Sequence, residues 1–212
     1  MKVKRPYILI QVLILIPIAG IMLFLILYMI ATFYYPGGSD VNKTAQGFSW
    51  VHNYWCDLMA KGAKNGQLNP ARPIAIAAMT VLCLALSVFW WLLPRLLDNG
   101  RHHYKIVQSS GIISMILAVF IFTNYHDLII SAAVVFGVIA LTGIYIALYR
   151  SKSYKTLTFG IFCLILIALN AYIYYTNHLI LILPLLQKIT FLLYLFWIIF
   201  INLKLFFKIR SM

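Results

Sequence analysis

Glutamate does not occur in this 212-residue chain, and aspartate occurs only as Asp40, Asp57, Asp98 and Asp127. Charged residues of both signs reach just 10%, while 64% of the chain is hydrophobic and the mean hydropathy is +0.94. A typical soluble domain carries about 25% charged residues, so this shortage of polar surface excludes a soluble globular fold. Because a spanning helix uses roughly 20 apolar residues, the length accommodates six spans and one modest loop. It leaves no room for an appended globular enzyme.

Cysteine is scarce as well. Cys83 and Cys163 lie inside apolar runs and out of reach of Cys56, so no disulfide framework is indicated. No C-x-x-C metal spacing occurs. The chain also lacks G-x-x-x-x-G-K-[ST], G-x-S-x-G and Rossmann glycine patterns, which removes support for nucleotide-driven transport and hydrolase elbow chemistry. The interiors of the apolar runs hold no Asp, Lys, Arg or His, although proton relays and ion pathways place ionisable groups there. Asn170 is the one amide read well inside a span, with Thr142 the nearest hydroxyl, and both are read as hydrogen-bonding between helices.

What the chain has is long apolar runs, at 7–34, 74–93, 106–123, 128–149, 157–176 and 189–207. They are continuous and do not alternate polar with apolar, so they predict helices and not a membrane barrel. The expected fold is all-α: one transmembrane domain over 1–212, a six-helix bundle with an outer loop at 35–72. The first run follows Lys2, Lys4 and Arg5 but far exceeds the h-region of a signal peptide, so it reads as an uncleaved span.

The 17 Lys and Arg give a formal charge of +13. They fall in small groups between apolar runs instead of forming a stripe with interleaved aromatics, so no nucleic-acid partner is expected. Most of them gather on the side holding both termini, which predicts cytoplasmic termini in a multi-pass protein of the inner or plasma membrane. His102 and His103, beside Arg101 and Lys105, form a basic cytoplasmic loop read as a topology anchor, with anionic lipid headgroups as its possible partner.

Boundary signals accompany the runs. Asn69-Pro70-Ala71-Arg72-Pro73 and Asp98-Asn99-Gly100 mark turns. Asp127 is placed to cap the fourth span and to meet the positive end of its dipole. Small residues spaced by four, Ser110 with Ser114 and Ala118, Ala133 with Gly137, and Gly143 with Ala147, predict that the third and fourth spans pack as a hairpin. The stretch 179–188, apolar but short and holding Pro184, reads as a re-entrant or interfacial piece.

The outer loop is too long to be structureless. Phe48, Val51, Trp55, Leu58 and Met59 recur at helical spacing and predict a short interfacial helix over 47–60, with Trp50, Tyr54 and Trp55 at headgroup depth.

This topology gathers His52, Asn53, Asp57, His126, Asp127 and His178 towards the outer face as a candidate polar pocket. Neutral imidazoles with a carboxylate are also the donor set of a zinc site that activates water. His52, His126, His178 and Asp57 are therefore the metal alternative, although no H-x-x-x-H puts two of them on one helical face. The main reading has no cofactor. Cys56 lies four residues from His52, but Asp57 beside it opposes a thiolate, so packing is its expected role.

With a first outer loop much the longest, Asn69-Pro70 leading into the second span, and His126-Asp127 at a tight outer turn, the chain resembles the membrane family catalogued as domain of unknown function 998. Asn53-Tyr54-Trp55-Cys56-Asp57-Leu58 is the most distinctive string. The resemblance covers nearly the whole chain and implies no established reaction. A more distant likeness to the group containing the autophagy modulator DRAM implies association with lipid or signalling. Alkaline ceramidases, seven-span zinc hydrolases with a paired H-x-x-x-H, supply the enzyme alternative, and this chain departs from them in both span number and motif. The function expected is therefore a non-enzymatic lipid-, ligand- or partner-binding membrane protein, with a metal-dependent lipid hydrolase as the alternative.

Overall fold

The computed structural model describes residues 4–97 and 103–210; its regular elements are helices, with no strand among the described residues. The helices are α1 (Lys4–Phe33), α2 (Arg72–Leu97), α3 (His103–Val119), α4 (His126–Arg150), α5 (Tyr154–Thr176) and α6 (Leu183–Arg210). Five helices are long and apolar enough to cross a membrane. The chain is thus built as a multi-pass membrane protein. The exception is α3, which has 17 residues. It stops short of the expected 123 because the chain tightens into turns, with Phe120 N–H donating to Leu117 O at 2.9 Å and Thr123 N–H to Phe120 O at 3.0 Å. The turn expected at Asp98-Asn99-Gly100, together with Arg101 and His102, lies outside the described residues, and His103 opens α3 instead of belonging to a loop.

Helices adjacent in sequence pack against each other, and α6 returns to α1, so the bundle closes on itself. In lipid the driving force for such contacts is close packing, which small residues permit. At the α1–α2 crossing Gly20 meets Ala85, and Gly111 of α3 leaves room for the Trp90 ring of α2. The hairpin of α3 and α4 forms as its small residues predict. Ser114 Oγ donates to Ala133 O at 2.8 Å, and Gly143 admits Val107. One aromatic layer ties α4, α5 and α6: Tyr145 and Trp197 stack at 5.6 Å. Tyr145 Oη donates to Gly160 O and Trp197 Nε1 to Thr156 O, each at 2.8 Å.

Three expectations need correction. The stretch 179–188 is not re-entrant: after a single 3-10 turn at Ile180–Ile182, α6 runs unbroken from Leu183, with Pro184 in its first turn, where the missing N–H costs nothing. Residues 47–60 do not form an interfacial helix. Only Trp55–Met59 is helical, as a 3-10 turn, because the backbone on either side is committed to contacts within the loop. Asp127 is not the cap of α4. Tyr125 is the residue at that position, and Asp127 lies in the first turn, where its charge still meets the dipole favourably. Asn177 ends α5 in the left-handed conformation, φ 57°, which asparagine tolerates at a helix C-terminus. A second intramembrane amide joins Asn170. Asn202 in α6 is 2% exposed and donates to Ile198 O, while Asn170 Nδ2 reaches Thr190 Oγ1 of α6 at 2.8 Å.

Candidate functional site beneath the folded loop

Successive helices run antiparallel, so the 34–71 loop, the α3–α4 turn and the α5–α6 turn share one end of the bundle, called here the loop end. The chain termini and the α4–α5 turn share the other, the terminal end. The loop is a folded cap. Two isolated antiparallel bridges, Gly37 with Gln46 and Gly62 with Leu68, pin its arms. Gly38 has φ +81°, and a side chain there would run into the Lys64–Asn65 backbone, so this crossing of the two arms requires glycine.

Asn53 is the hub and is fully buried. Its Nδ2 donates to Gly38 O at 2.8 Å and to Asp57 Oδ2 at 3.1 Å, and its Oδ1 accepts from Ser49 N–H at 2.9 Å. Its carbonyl accepts from the Lys188 ammonium of α6. Lys188 is only 4% exposed, and it also donates to Pro184 O at 2.9 Å and lies 5.6 Å from the centre of the Phe48 ring. The sequence reading did not single out this lysine. The available signal was a lysine at i+4 from Pro184 within a largely apolar run.

Asp57 is the second anchor. Its Oδ2 accepts from Tyr54 N–H at 2.9 Å, holding the start of the 3-10 turn, and its Oδ1 is 3.8 Å from Lys64 Nζ. Lys64 also meets Asp40 at 2.9 Å, which pairs with Lys43 at 3.1 Å. The Lys64 hydrogen bond holds the Asp40 carboxyl below its ordinary range, more than offsetting its partial burial. That contribution to stability is present at neutral pH and is lost as pH falls through the lowered value. These groups are largely exposed, which limits it to about 1 kcal/mol or less. Burial alone would lower Lys64, and the two carboxylates turn the net shift upward.

Asn69, read only as a turn residue, clamps the far side of the loop. Its Nδ2 lies within hydrogen-bond reach of the carbonyls of Asp57, Leu58 and Ala60, at 3.1, 3.1 and 3.0 Å, while Oδ1 accepts from Ala71 N–H at 3.1 Å. Arg72 Nε adds a bond to Met59 O at 3.1 Å. Trp55 packs inward from the loop. Its ring plugs the space between α1 and α6, with centroids 5.4 Å from Tyr28, 5.9 Å from Phe24 and 5.3 Å from Phe191.

Between the cap and the α3–α4 turn lies a cavity of about 250 Å³, walled by Cys56, Asp57, Met59, Ala60, Ile121, Phe122 and Thr123. The Thr123 hydroxyl is enclosed and has no hydrogen-bond partner. Arg72 stands 5.9 Å from the centre of the Phe122 ring and steadies that wall. Burial, and then the Asp57 charge, push the Cys56 thiol up to about 11, so it is not a nucleophile at neutral pH.

Of the expected pocket residues, the structure joins Asn53 and Asp57 by a hydrogen bond. His52 is half-buried, with its backbone N–H donating to Ser49 Oγ at 3.2 Å and its Nδ1 enclosed without a partner. Asp127 and His178 are exposed and do not wall this cavity. The His126 side chain lies outside the described residues. No group of three His, Cys, Asp or Glu capable of holding a metal occurs among the described residues, so His52, Asp57 and His178 do not assemble as the zinc alternative requires. Comparison with protein-family models, with curated proteins and with solved structures finds no match.

Replacing Asp57 by Ala orphans the Tyr54 N–H and one Asn53 bond, and the expected loss is about 1–3 kcal/mol. Thermal unfolding in detergent should show a lowered Tm, with faster tryptic cleavage at Lys61 and Lys64. Unchanged unfolding and cleavage would remove Asp57 from its anchoring role.

Proposed function

We propose that this is a non-enzymatic membrane protein that binds the polar head of an amphiphile in the cavity beneath its folded loop. The observation that carries the reading is the cavity that Asp57 and Thr123 both wall, together with the enclosed Thr123 hydroxyl, which has no hydrogen-bond partner among the described residues. A buried hydroxyl left unsatisfied costs free energy, and a ligand that hydrogen-bonds to it recovers that cost. The Asp57 carboxylate favours a headgroup with N–H or O–H donors, such as an ethanolamine. The apolar side chains of Met59, Ile121 and Phe122 suit the first carbons behind such a head. Burial and the neighbouring Asp57 charge both disfavour the Cys56 thiolate, which speaks against nucleophilic catalysis in this reading.

The loop end faces out of the cell in this proposal, and both termini lie in the cytoplasm of an inner or plasma membrane. Cys56 is too enclosed to report this. In a variant with Cys56, Cys83 and Cys163 replaced by Ala, Lys43→Cys places a thiol on the exposed rim of the loop. An impermeant maleimide should label it in intact cells, and labelling only after lysis would reverse the orientation.

Binding is tested with dioctanoyl phosphatidylethanolamine against the choline analogue, which has no headgroup donor. Thr123→Val, equal in shape and lacking the hydroxyl, should weaken ethanolamine binding about two- to tenfold, the range for one hydrogen bond, with the wild-type Tm retained. Equal binding of both lipids by the wild type, or no effect of Thr123→Val, would refute the reading.

A further inference from the structure

A second cavity lies at the terminal end, in the groove between α3 and α4, and is independent of the one beneath the loop. It measures about 340 Å³. Ile106, Val107, Ile139 and Ile146 form its sides, and Tyr104 and Arg150 close its end. The groove exists because Gly143 has no side chain and Val107 sinks into the space, bringing the two backbones close at its floor. Thr142 adds no free polar group, since its hydroxyl donates to Val138 O at 2.8 Å. The trough is thus apolar along its length and cationic at one end.

Among the described residues the charge at that end lacks compensation. Arg150 is exposed and makes no ion pair or hydrogen bond through its guanidinium with any described residue. It gains something from standing at the C-terminus of α4, where a cation meets the helix dipole favourably, but that leaves its planar fork of donors open. Every described acid, Asp40, Asp57 and Asp127, belongs to the loop end. The terminal end has Lys105, Lys152 and Lys155, all exposed, around Arg150. An apolar trough opening on lipid calls for an acyl chain. A guanidinium with no partner among the described residues, standing at its mouth, calls for a phosphate, which it meets with two parallel hydrogen bonds. Basic pockets between spanning helices bind anionic lipid heads in this way.

We propose that the α3–α4 groove is a binding site for an anionic glycerophospholipid, with an acyl chain along Ile106, Ile139 and Ile146 and the headgroup phosphate on Arg150.

The test is native mass spectrometry of the full-length protein with palmitoyl-oleoyl phosphatidylglycerol or the ethanolamine lipid of the same chains. The wild type should retain phosphatidylglycerol preferentially at this site. Arg150→Gln should cut that retention about fivefold, the effect of one basic residue at a membrane surface, and leave ethanolamine-lipid retention unchanged. Ile139→Trp, which fills the groove without touching the charge, should lower phosphatidylglycerol retention as well, so the site is tested even if one variant folds poorly. Lys155→Gln changes the same face outside the groove and should have little effect. Two results would overturn the proposal: phosphatidylglycerol retention insensitive to both groove variants, or a loss with Lys155→Gln equal to that with Arg150→Gln, which would indicate a diffuse surface potential instead of a site.

Discussion

An ammonium taken out of water must find hydrogen-bond acceptors where it lands, because the cost of leaving it bare exceeds what packing returns. Lys188 finds one acceptor in its own helix, Pro184 O, and another in the loop, Asn53 O. The contact fixes the start of α6 to the hub of the cap, and the cap in turn places Asp57 and Cys56 against the α3–α4 turn. The cavity beneath the loop, the seat of Trp55 between α1 and α6, and the order of the whole 34–71 segment depend on this seating. The loop buries Leu58, Met59 and Trp55 against the helices and holds its shape through an internal network of side chain to backbone bonds, with Asn53, Asn69 and Asp57 each serving several partners.

The two ends of the bundle divide the chemistry. At the loop end the acids are all committed or accessible: Asp40 to Lys64 and Lys43, Asp57 to Tyr54 N–H and Asn53, with Asp127 in the first turn of α4. The terminal end presents cations alone among the described residues. An asymmetry of this kind orients a protein in a membrane and also determines which lipids collect at each end. Hydrogen-bonding heads suit the loop end, and negatively charged ones suit the terminal end. The bundle between them is held by close packing at Gly20, Gly111 and Gly143.

The helices were legible because apolar runs of this length have one solution in lipid. The α3–α4 hairpin was legible too, since small residues at four-residue spacing point to close approach and do not depend on distant partners. The cap was not. Helical spacing of Phe48, Val51, Trp55 and Leu58 predicted an amphipathic helix, and tertiary hydrogen bonds overrode that pattern. Asn53 and Asp57 were identified as site residues, but as members of an outward cluster with histidines, when their side chains are in fact turned into the loop. Lys188 and Thr123 were missed for one reason: a charge or hydroxyl near a span end has an ordinary explanation in sequence, and only the fold shows that the first is buried against a loop some 135 positions away and that the second is enclosed in the wall of a cavity.

Hydrogen exchange at the loop amides tests the central claim most directly. If the cap is a folded unit locked by Lys188, the amides of Gly38, Asn53, Asp57 and Ala63, all hydrogen-bonded within the loop, should exchange far more slowly than in an unfolded peptide. Lys188→Met should release them while the amides of the α3–α4 hairpin keep their protection. Loop amides that exchange at peptide rates in the wild type, or protection untouched by Lys188→Met, would contradict the account.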